Sequence, residues 1–432
     1  MGLPLMGSRA TLRRQFLMEQ MEQNNKRNGY WSGLISGLLL AILLIGCVYI
    51  GNQVYRIFES KKIAESNQAE GAELLNEYTA AKVEVIEETI KQYFLEETDR
   101  NALENGIYTG MVNALDDPYS EYYSAEELEE LQMSTEGIYY GIGAYISKAA
   151  TDEFCTISGV IENTPAEEAD LRAGDIIYEV DGVLTQGMDT TEVVSLIKGE
   201  EGTQVVLTLV RDGEDDYLKI PVERRKIESP TVSNEMLENG IGYIEITEFD
   251  DVTEDQFAEA LAECKAKGMK ALILDLRSNP GGNLSTVCEI SRMLLPKGMI
   301  VYTEDKYGKR DEYTCDGVRQ LQVPAVVLVN GYSASASEIL AGAMKDHGIA
   351  TIMGTTTFGK GIVQRVIALS DGSAVKLTVS KYYTPNGNNI HEKGIEPDVE
   401  VEFDADAYYD EGVDNQLQEA VRYLTTIQSQ AN

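Results

Sequence analysis

The sequence predicts a multidomain chain of mixed class, α+β in its front half and α/β in its C-terminal half. Three observations carry this. Asn28 to Tyr55 contains no charged residue. Short apolar segments alternate with turn dipeptides over residues 134–224. From about residue 240, continuous apolar runs alternate with helical patterns. With 432 residues, 43% of them hydrophobic, the chain is long enough for two or three domains with real cores.

Within the uncharged stretch, LISGLLLAILLIGCVYI is apolar enough to cross a bilayer as a helix. Arg9, Arg13, Arg14, Lys26 and Arg27 precede it. The positive-inside rule therefore puts residues 1–27 in the cytoplasm and everything after the helix outside. Tyr30, Trp31, Tyr49 and Tyr55 suit the two interfaces. A cleaved signal peptide would need a short leading region and a small-x-small site, and neither is clear. LIGC, ending at Cys47, resembles a lipoprotein cleavage box, but apolar sequence continues past it. LRRQFL resembles a twin-arginine signal, but Glu19 and Glu22 separate it from the apolar run. An uncleaved single-pass anchor over residues 28–55 is the preferred reading.

Residues 57–72 are polar and read as a tether. From about Ala72 to Glu97, Val83, Ile86, Ile90 and Tyr93 recur at helical spacing. The pattern suits both a helix packed on its own domain and a homodimerisation arm. Over 134–224, Asp181-Gly182 and Asp212-Gly213 are hairpin dipeptides. Further on, IGYIEI reads as a strand and residues 254–267 as a helix. KALILDL is a buried, parallel strand; residues 284–295 form a helix; PAVVLV is another buried strand, followed by a helix over 336–346. VIALSDGSAVKLTV is a hairpin turning at Asp371-Gly372.

Composition excludes several functions. Net charge is −36, from 72 acidic and 36 basic residues, which repels phosphate backbones and disfavours nucleic acid and anionic lipid surfaces. The five cysteines, Cys47, Cys155, Cys264, Cys288 and Cys315, form no C-x-x-C pair and no zinc-spaced cluster. They read as buried or lone thiols, and sequence does not pair them. His347 and His391 are the only histidines, so a Ser-His-Asp enzyme would have to use one of these two.

The chemistry concentrates in three segments. In VPAVVLVNGYSASASEILAGAMKD a buried strand enters a turn of small residues and then a helix. A serine there (Ser333, Ser335 or Ser337) would sit where N–H groups and the helix dipole favour developing negative charge. Each could equally be a helix cap. Lys360 lies between two glycines in FGKGIVQ. An ordinary lysine is neutral in only about one molecule in a few thousand at pH 7, so a lysine base needs burial to depress its pKa. LDLRSNPGGNL ends a buried strand in a Gly-Gly loop with N–H groups for an oxyanion. Each segment alone also fits an ordinary turn or connection.

Taken together and in order, DDPYSEYYSAEE, YYGIGA, NTPAEEADLRAGDIIYEVDG, LIKGEEGT, LDLRSNPGG, NGYSASASE, FGKGIVQ and YYTPNGNNIHEKGIEPD resemble the C-terminal processing (tail-specific) peptidases, a Ser-Lys serine peptidase family. The likeness covers roughly residues 75–400. It implies Ser335 as nucleophile, Lys360 as base and Gln364 as the partner orienting the lysine amine. It implies an oxyanion hole from the Ala336 N–H and a glycine N–H of the Gly281-Gly282 pair. It makes residues 134–224 a PDZ domain, a small β-sandwich with two helices, in which Gly141, Ile142 and Gly143 receive a terminal carboxylate. The core it implies is crotonase/ClpP-like. No metal or other cofactor is required. Two positions depart from the pattern: Asp170 stands where the family has Gly, and Lys198 stands for an Arg linked to coupling between PDZ and protease. Lysine does not reproduce a bidentate guanidinium contact.

The expected organisation is thus a cytoplasmic N-terminus (1–27), an anchor (28–55), a tether and helical segment (56–133), the PDZ domain (134–224), the peptidase core (225–404) and a C-terminal helical tail (405–432). The expected activity is an extracytoplasmic, membrane-anchored serine endopeptidase that cuts near the C-terminal tails of proteins. The alternatives are an inert PDZ scaffold that binds tails without cutting, and a crotonase-like acyl-CoA enzyme, which an extracytoplasmic location disfavours.

Overall fold

The computed structural model describes residues 73–431, together with Met18, Gly51 and Tyr55. Among these, no helix is long and apolar enough to cross a membrane. The span expected over 28–55 lies outside the described residues apart from Gly51 and Tyr55. The chain divides into two units, Met1–Leu103 and Glu104–Asn432. In the first, the helix expected from the apolar spacing runs over Glu77–Tyr93. Asn76 starts it by accepting the N–H groups of Tyr78 and Thr79, and none of its residues is buried.

In the second unit, the segment rich in turn dipeptides folds as a small sheet domain. Strands Ala144–Ser147, Thr156–Val160, Ile176–Val180, Gln204–Val210 and Leu218–Glu223 follow one another across the sheet. Asp181 and Gly182, with φ of 50° and 80°, form the two-residue turn into Val183–Leu184, the conformation an Asp-Gly pair favours. Helices Pro165–Glu168 and Thr190–Ile197 complete the domain. Its core gathers Ile157, Ile177, Val193, Val205, Leu207 and Leu209, all fully buried. A ribbon of Ile138–Gly141 against Arg225–Glu228 joins the two ends of the domain.

The C-terminal part is the expected α/β core. Val232–Leu237 pairs antiparallel with Ile241–Ile246. Ala271–Asp275, Ala325–Val329, Ala350–Gly354 and Val399–Glu400 then follow in parallel. Every residue of Ala271–Asp275 and Ala325–Val329 is buried, because both faces are covered. Alternate side chains serve opposite faces. Leu272, Leu274, Val327 and Val329 pack with helices Thr253–Ala266, Leu284–Arg292 and Ala336–Asp346. Ile273, Val326 and Leu328 pack with Ala420 and Leu424 of the C-terminal helix Asn415–Ala431.

A second, antiparallel sheet was foreseen only in its hairpin. It joins Glu121–Tyr123, Ile362–Ala368, Ala374–Tyr383, Gly298–Asp305 and Arg310–Cys315. Among the described residues, Cys155, Cys264, Cys288 and Cys315 are buried free thiols.

Candidate active site

Two neighbouring parallel strands, Ala271–Asp275 and Ala325–Val329, end on the same side of the sheet. Their following loops therefore meet beyond the strands' carboxyl ends, where open α/β sheets place their ligands. The first loop carries Gly281 and Gly282, and the second carries the serines.

The three candidate serines separate by their partners. The Ser333 hydroxyl is buried, donates to the Leu276 carbonyl at 2.7 Å and accepts the Asn330 N–H at 2.9 Å. The Ser337 hydroxyl is buried and donates to the Asn279 carbonyl at 3.0 Å. Ser335 is half-buried, and its Oγ donates to no acceptor among the described residues, while the Glu338 N–H faces it in a capping-box arrangement. Ser335 is held at φ 53° and ψ −112°, a left-handed conformation that costs a non-glycine residue roughly 1–3 kcal/mol and persists only where its surroundings impose it. Those surroundings are visible. The Ser335 carbonyl accepts the N–H groups of Glu338 and Ile339, at 2.9 and 3.0 Å, and the buried Tyr382 hydroxyl at 3.1 Å.

Glu338, three residues on, is the residue that sequence reasoning missed. Its carboxylate is fully buried and accepts four donors: the Ser335 N–H and the Lys360 N–H on Oε2, both at 2.9 Å, and the Thr357 hydroxyl and Gly359 N–H on Oε1, at 2.6 and 2.7 Å. One acid thereby ties the backbone of the candidate nucleophile to the backbone of the candidate base. The signal was present: an acid three residues after a helix-capping position is a capping-box spacing. That the same carboxylate would reach a second loop was not legible.

Gly281 approaches the serine as closely as a backbone can. A Cβ at that position would stand 2.7 Å from Ser335 Cβ and 3.0 Å from Ala336 N, so only glycine fits there. Its own N–H is given to Asn279 Oδ1 at 2.8 Å. Of the expected oxyanion donors, the N–H groups of Ala336 and Gly282 are the two with no acceptor among the described residues. Asn279, fully buried, also binds the Ile246 carbonyl through Nδ2 and so fixes the loop to the sheet.

Lys360 is half-buried. Burial pushes its amine below the ordinary lysine value and nearby Lys376 adds to this, while Asp117 and Glu338 pull the other way. The amine stands 4.6 Å from the centroid of the Tyr119 ring. Gln364, expected to orient this amine, instead donates to the Thr378 hydroxyl at 3.2 Å. The two histidines differ in place: His391 lies behind the base, within electrostatic reach of Asp117 and with its buried Nδ1 unpartnered among the described residues, and His347 lies away from it. His347, at the far end of the Ala336–Asp346 helix, is 2.7 Å from the Met299 carbonyl, and the His391 backbone packs against Gly361.

In the small domain, Gly141 ends its strand, Ile142 is buried and Gly143 has φ 85°. A Cβ on Gly143 would stand 2.3 Å from Thr164 Cβ. The N–H groups of Ile142 and Gly143 have no acceptor among the described residues. Just beyond, strand Ala144–Ser147 is the outer strand of its sheet, and helix Thr190–Ile197 lies alongside it. Asp170, the departure from glycine, adopts φ 56°, with its carboxylate bound to the Arg172 guanidinium at 2.6 and 3.1 Å. Aspartate tolerates this conformation better than most side chains. The Lys198 amine lies 5.7 Å from the centroid of the Tyr139 ring.

Residues 240–401 match the family model described as Peptidase family S41. Residues 156–211 match the PDZ domain, and residues 41–127 match the Activating protease CtpB N-terminal domain. The chain is 38% identical over 335 residues to the carboxy-terminal processing protease CtpA of Bacillus subtilis, covering 75% of this chain and 71% of that protein. It is 35% identical over 324 residues to CtpB of the same organism, covering 74% and 67%. It is 36% identical over 296 residues to the carboxyl-terminal-processing protease of Synechocystis sp., covering 68% and 69%. With likeness of this extent along both partners, the chain belongs to peptidase family S41, the carboxy-terminal processing serine proteases.

Proposed function

We propose that the chain is a membrane-anchored, extracytoplasmic endopeptidase that cuts near the C-termini of proteins with a Ser335–Lys360 dyad. The observation that carries the dyad is the buried Glu338 carboxylate, which binds the backbone of both residues, together with Ser335 being the one serine of the turn whose hydroxyl donates to no acceptor among the described residues.

In this reading neutral Lys360 takes the Ser335 Oγ proton as the oxygen attacks the scissile carbonyl carbon. The oxyanion settles against the N–H groups of Ala336 and Gly282. The lysine ammonium gives its proton to the leaving amine as the C–N bond breaks. Water, deprotonated by the same amine, then releases the acyl group from Ser335. Gln364 turns from Thr378 toward the amine in the reacting arrangement. The Gly141–Gly143 loop takes the terminal carboxylate of the tail, whose backbone adds to the strand Ala144–Ser147.

Ser335→Ala and Lys360→Ala should each lower peptide cleavage by at least about a thousandfold with folding preserved. The double variant should be no worse than either single, since the pair acts as a unit. Full activity in either single variant would refute the dyad. The membrane assignment rests on residues 28–55 and the basic residues before them. Protease added to intact spheroplasts should digest the peptidase core and spare residues 1–27, and protection of the core would reverse the orientation.

A further inference from the structure

Tyr119 lies on a turn built by Asp117, whose carboxylate accepts the Tyr119 N–H at 3.1 Å and the Ser120 hydroxyl at 2.6 Å. Burial works against the charge on Asp117, but these bonds and the Thr378 hydroxyl outweigh it and hold the carboxyl below its usual range. The Ser120 hydroxyl in turn accepts the Thr378 N–H at 3.2 Å. The next residues, Glu121–Tyr123, pair with one edge of Ala374–Tyr383, while Ile362–Ala368, which follows Lys360, pairs with the other. The sheet itself therefore brings the Tyr119 ring to Lys360.

The carboxylates and the second lysine around the amine are otherwise engaged. Lys376 is held by Glu121, at 3.1 Å, and by Tyr123. Asp117 serves its own turn and lies within electrostatic reach of His391, Glu338 binds its four donors, and His391, whose backbone lies against Gly361, has a buried ring Nδ1 with no hydrogen-bond partner among the described residues. Among the described residues no carboxylate is within ion-pair distance of Lys360, so the ammonium rests on the ring face.

We propose that the Tyr119 ring is the resting partner of protonated Lys360, and that the amine leaves the ring for Ser335 Oγ once its proton has passed to solvent. Tyr119 is then a positioning residue. The inference rests on the Ser335–Lys360 reading. Its physical basis is that a ring quadrupole attracts an ammonium but has little hold on a neutral amine. The contact keeps the side chain away from the serine in the protonation state that cannot act as a base, and weakens in the state that can. It also favours the ammonium, and so offsets part of the depression that burial causes. Without it, the acidic limb of kcat/KM should move to lower pH by roughly half to one pH unit. On that limb the rate is proportional to the neutral fraction, so activity there should rise about three- to tenfold.

The test uses the full chain with Tyr119→Phe, Tyr119→Leu, and pentafluorophenylalanine at position 119. The last keeps the ring's shape while reversing its quadrupole, and carries the test should the leucine variant misfold. Two quantities are measured: the titration midpoint of Lys360 from its 13Cε shift, and the pH profile of kcat/KM on a peptide with a free C-terminus. In the leucine and pentafluoro chains both should fall together, and Tyr119→Phe should restore the wild-type midpoint. Unmoved midpoints, or activity lowered at every pH with the limb in place, would overturn the proposal. Ser335→Ala, assayed in parallel, separates the two claims. If it is inactive while the limb stays unmoved, only the role of Tyr119 falls. If it still hydrolyses the peptide, the dyad falls and the role of Tyr119 with it.

Discussion

Single side chains in this protein are placed by what they bind, and Asp250 is an instructive exception. It is buried beneath Gly137, the left-handed residue that ends helix Ala125–Glu136. Burial, then the charges of Glu248 and Asp251, push its carboxyl up to about 7. The sign of the consequence follows from proton counting. Between the ordinary carboxylate value near 4 and about 7, the unfolded chain ionises first and so binds fewer protons than the folded one. Stability therefore falls as pH rises through that window, and the penalty is complete above it. Asp250→Asn should raise stability by roughly 1–3 kcal/mol at pH 8 and change it little at pH 4. Matched thermal melts at the two pH values check this, and equal effects at both would show that the group titrates normally. Glu338 illustrates the opposite case, a buried acid whose four donors replace water.

At the scale of elements, the C-terminal helix shows how the sheet's second face is closed. Ala420 and Leu424 pack fully buried on Ile241, Ile273 and Leu328. At its start, Asp414 and Gln416 bind the Arg277 guanidinium, which also pairs with Asp275 at the end of the strand that enters the Gly281-Gly282 loop. Leu424→Ala should cost about 2–5 kcal/mol, read as a lower denaturation midpoint; a change under about 1 kcal/mol would mean the helix is not integral to the core. The elements legible in the sequence were those with strong local signals. KALILDL and PAVVLV announce buried strands by unbroken apolar runs, and the helix expected at 336–346 is found at Ala336–Asp346. The antiparallel sheet was less legible because its strands are partly exposed and its partners lie far apart, as with Glu121 opposite Lys376. The site followed the same rule. The serine turn and the glycine loop carry local patterns, whereas Glu338 reaching Lys360 and Tyr119 reaching the same lysine depend on tertiary pairing.

At the scale of the whole molecule, two parts of one unit divide the proposed work. The α/β core carries the candidate chemistry, and the PDZ domain offers the Ile142 and Gly143 N–H groups beside an open strand edge. A peptide ending in a carboxylate should be cleaved about ten- to a hundredfold more efficiently at limiting concentration than its amide, the worth of one charge-assisted hydrogen bond. Equal cleavage of the two peptides would place tail recognition outside this loop. The outer strand Ala144–Ser147 has a further consequence. An edge able to accept one extended chain can accept another, including an unfolded copy of the same protein. With a net charge of −36, two copies repel at long range, and salt shortens that reach. Openness to substrate and resistance to self-assembly are thus set by different forces, and raising ionic strength weakens the second while sparing the backbone pairing behind the first.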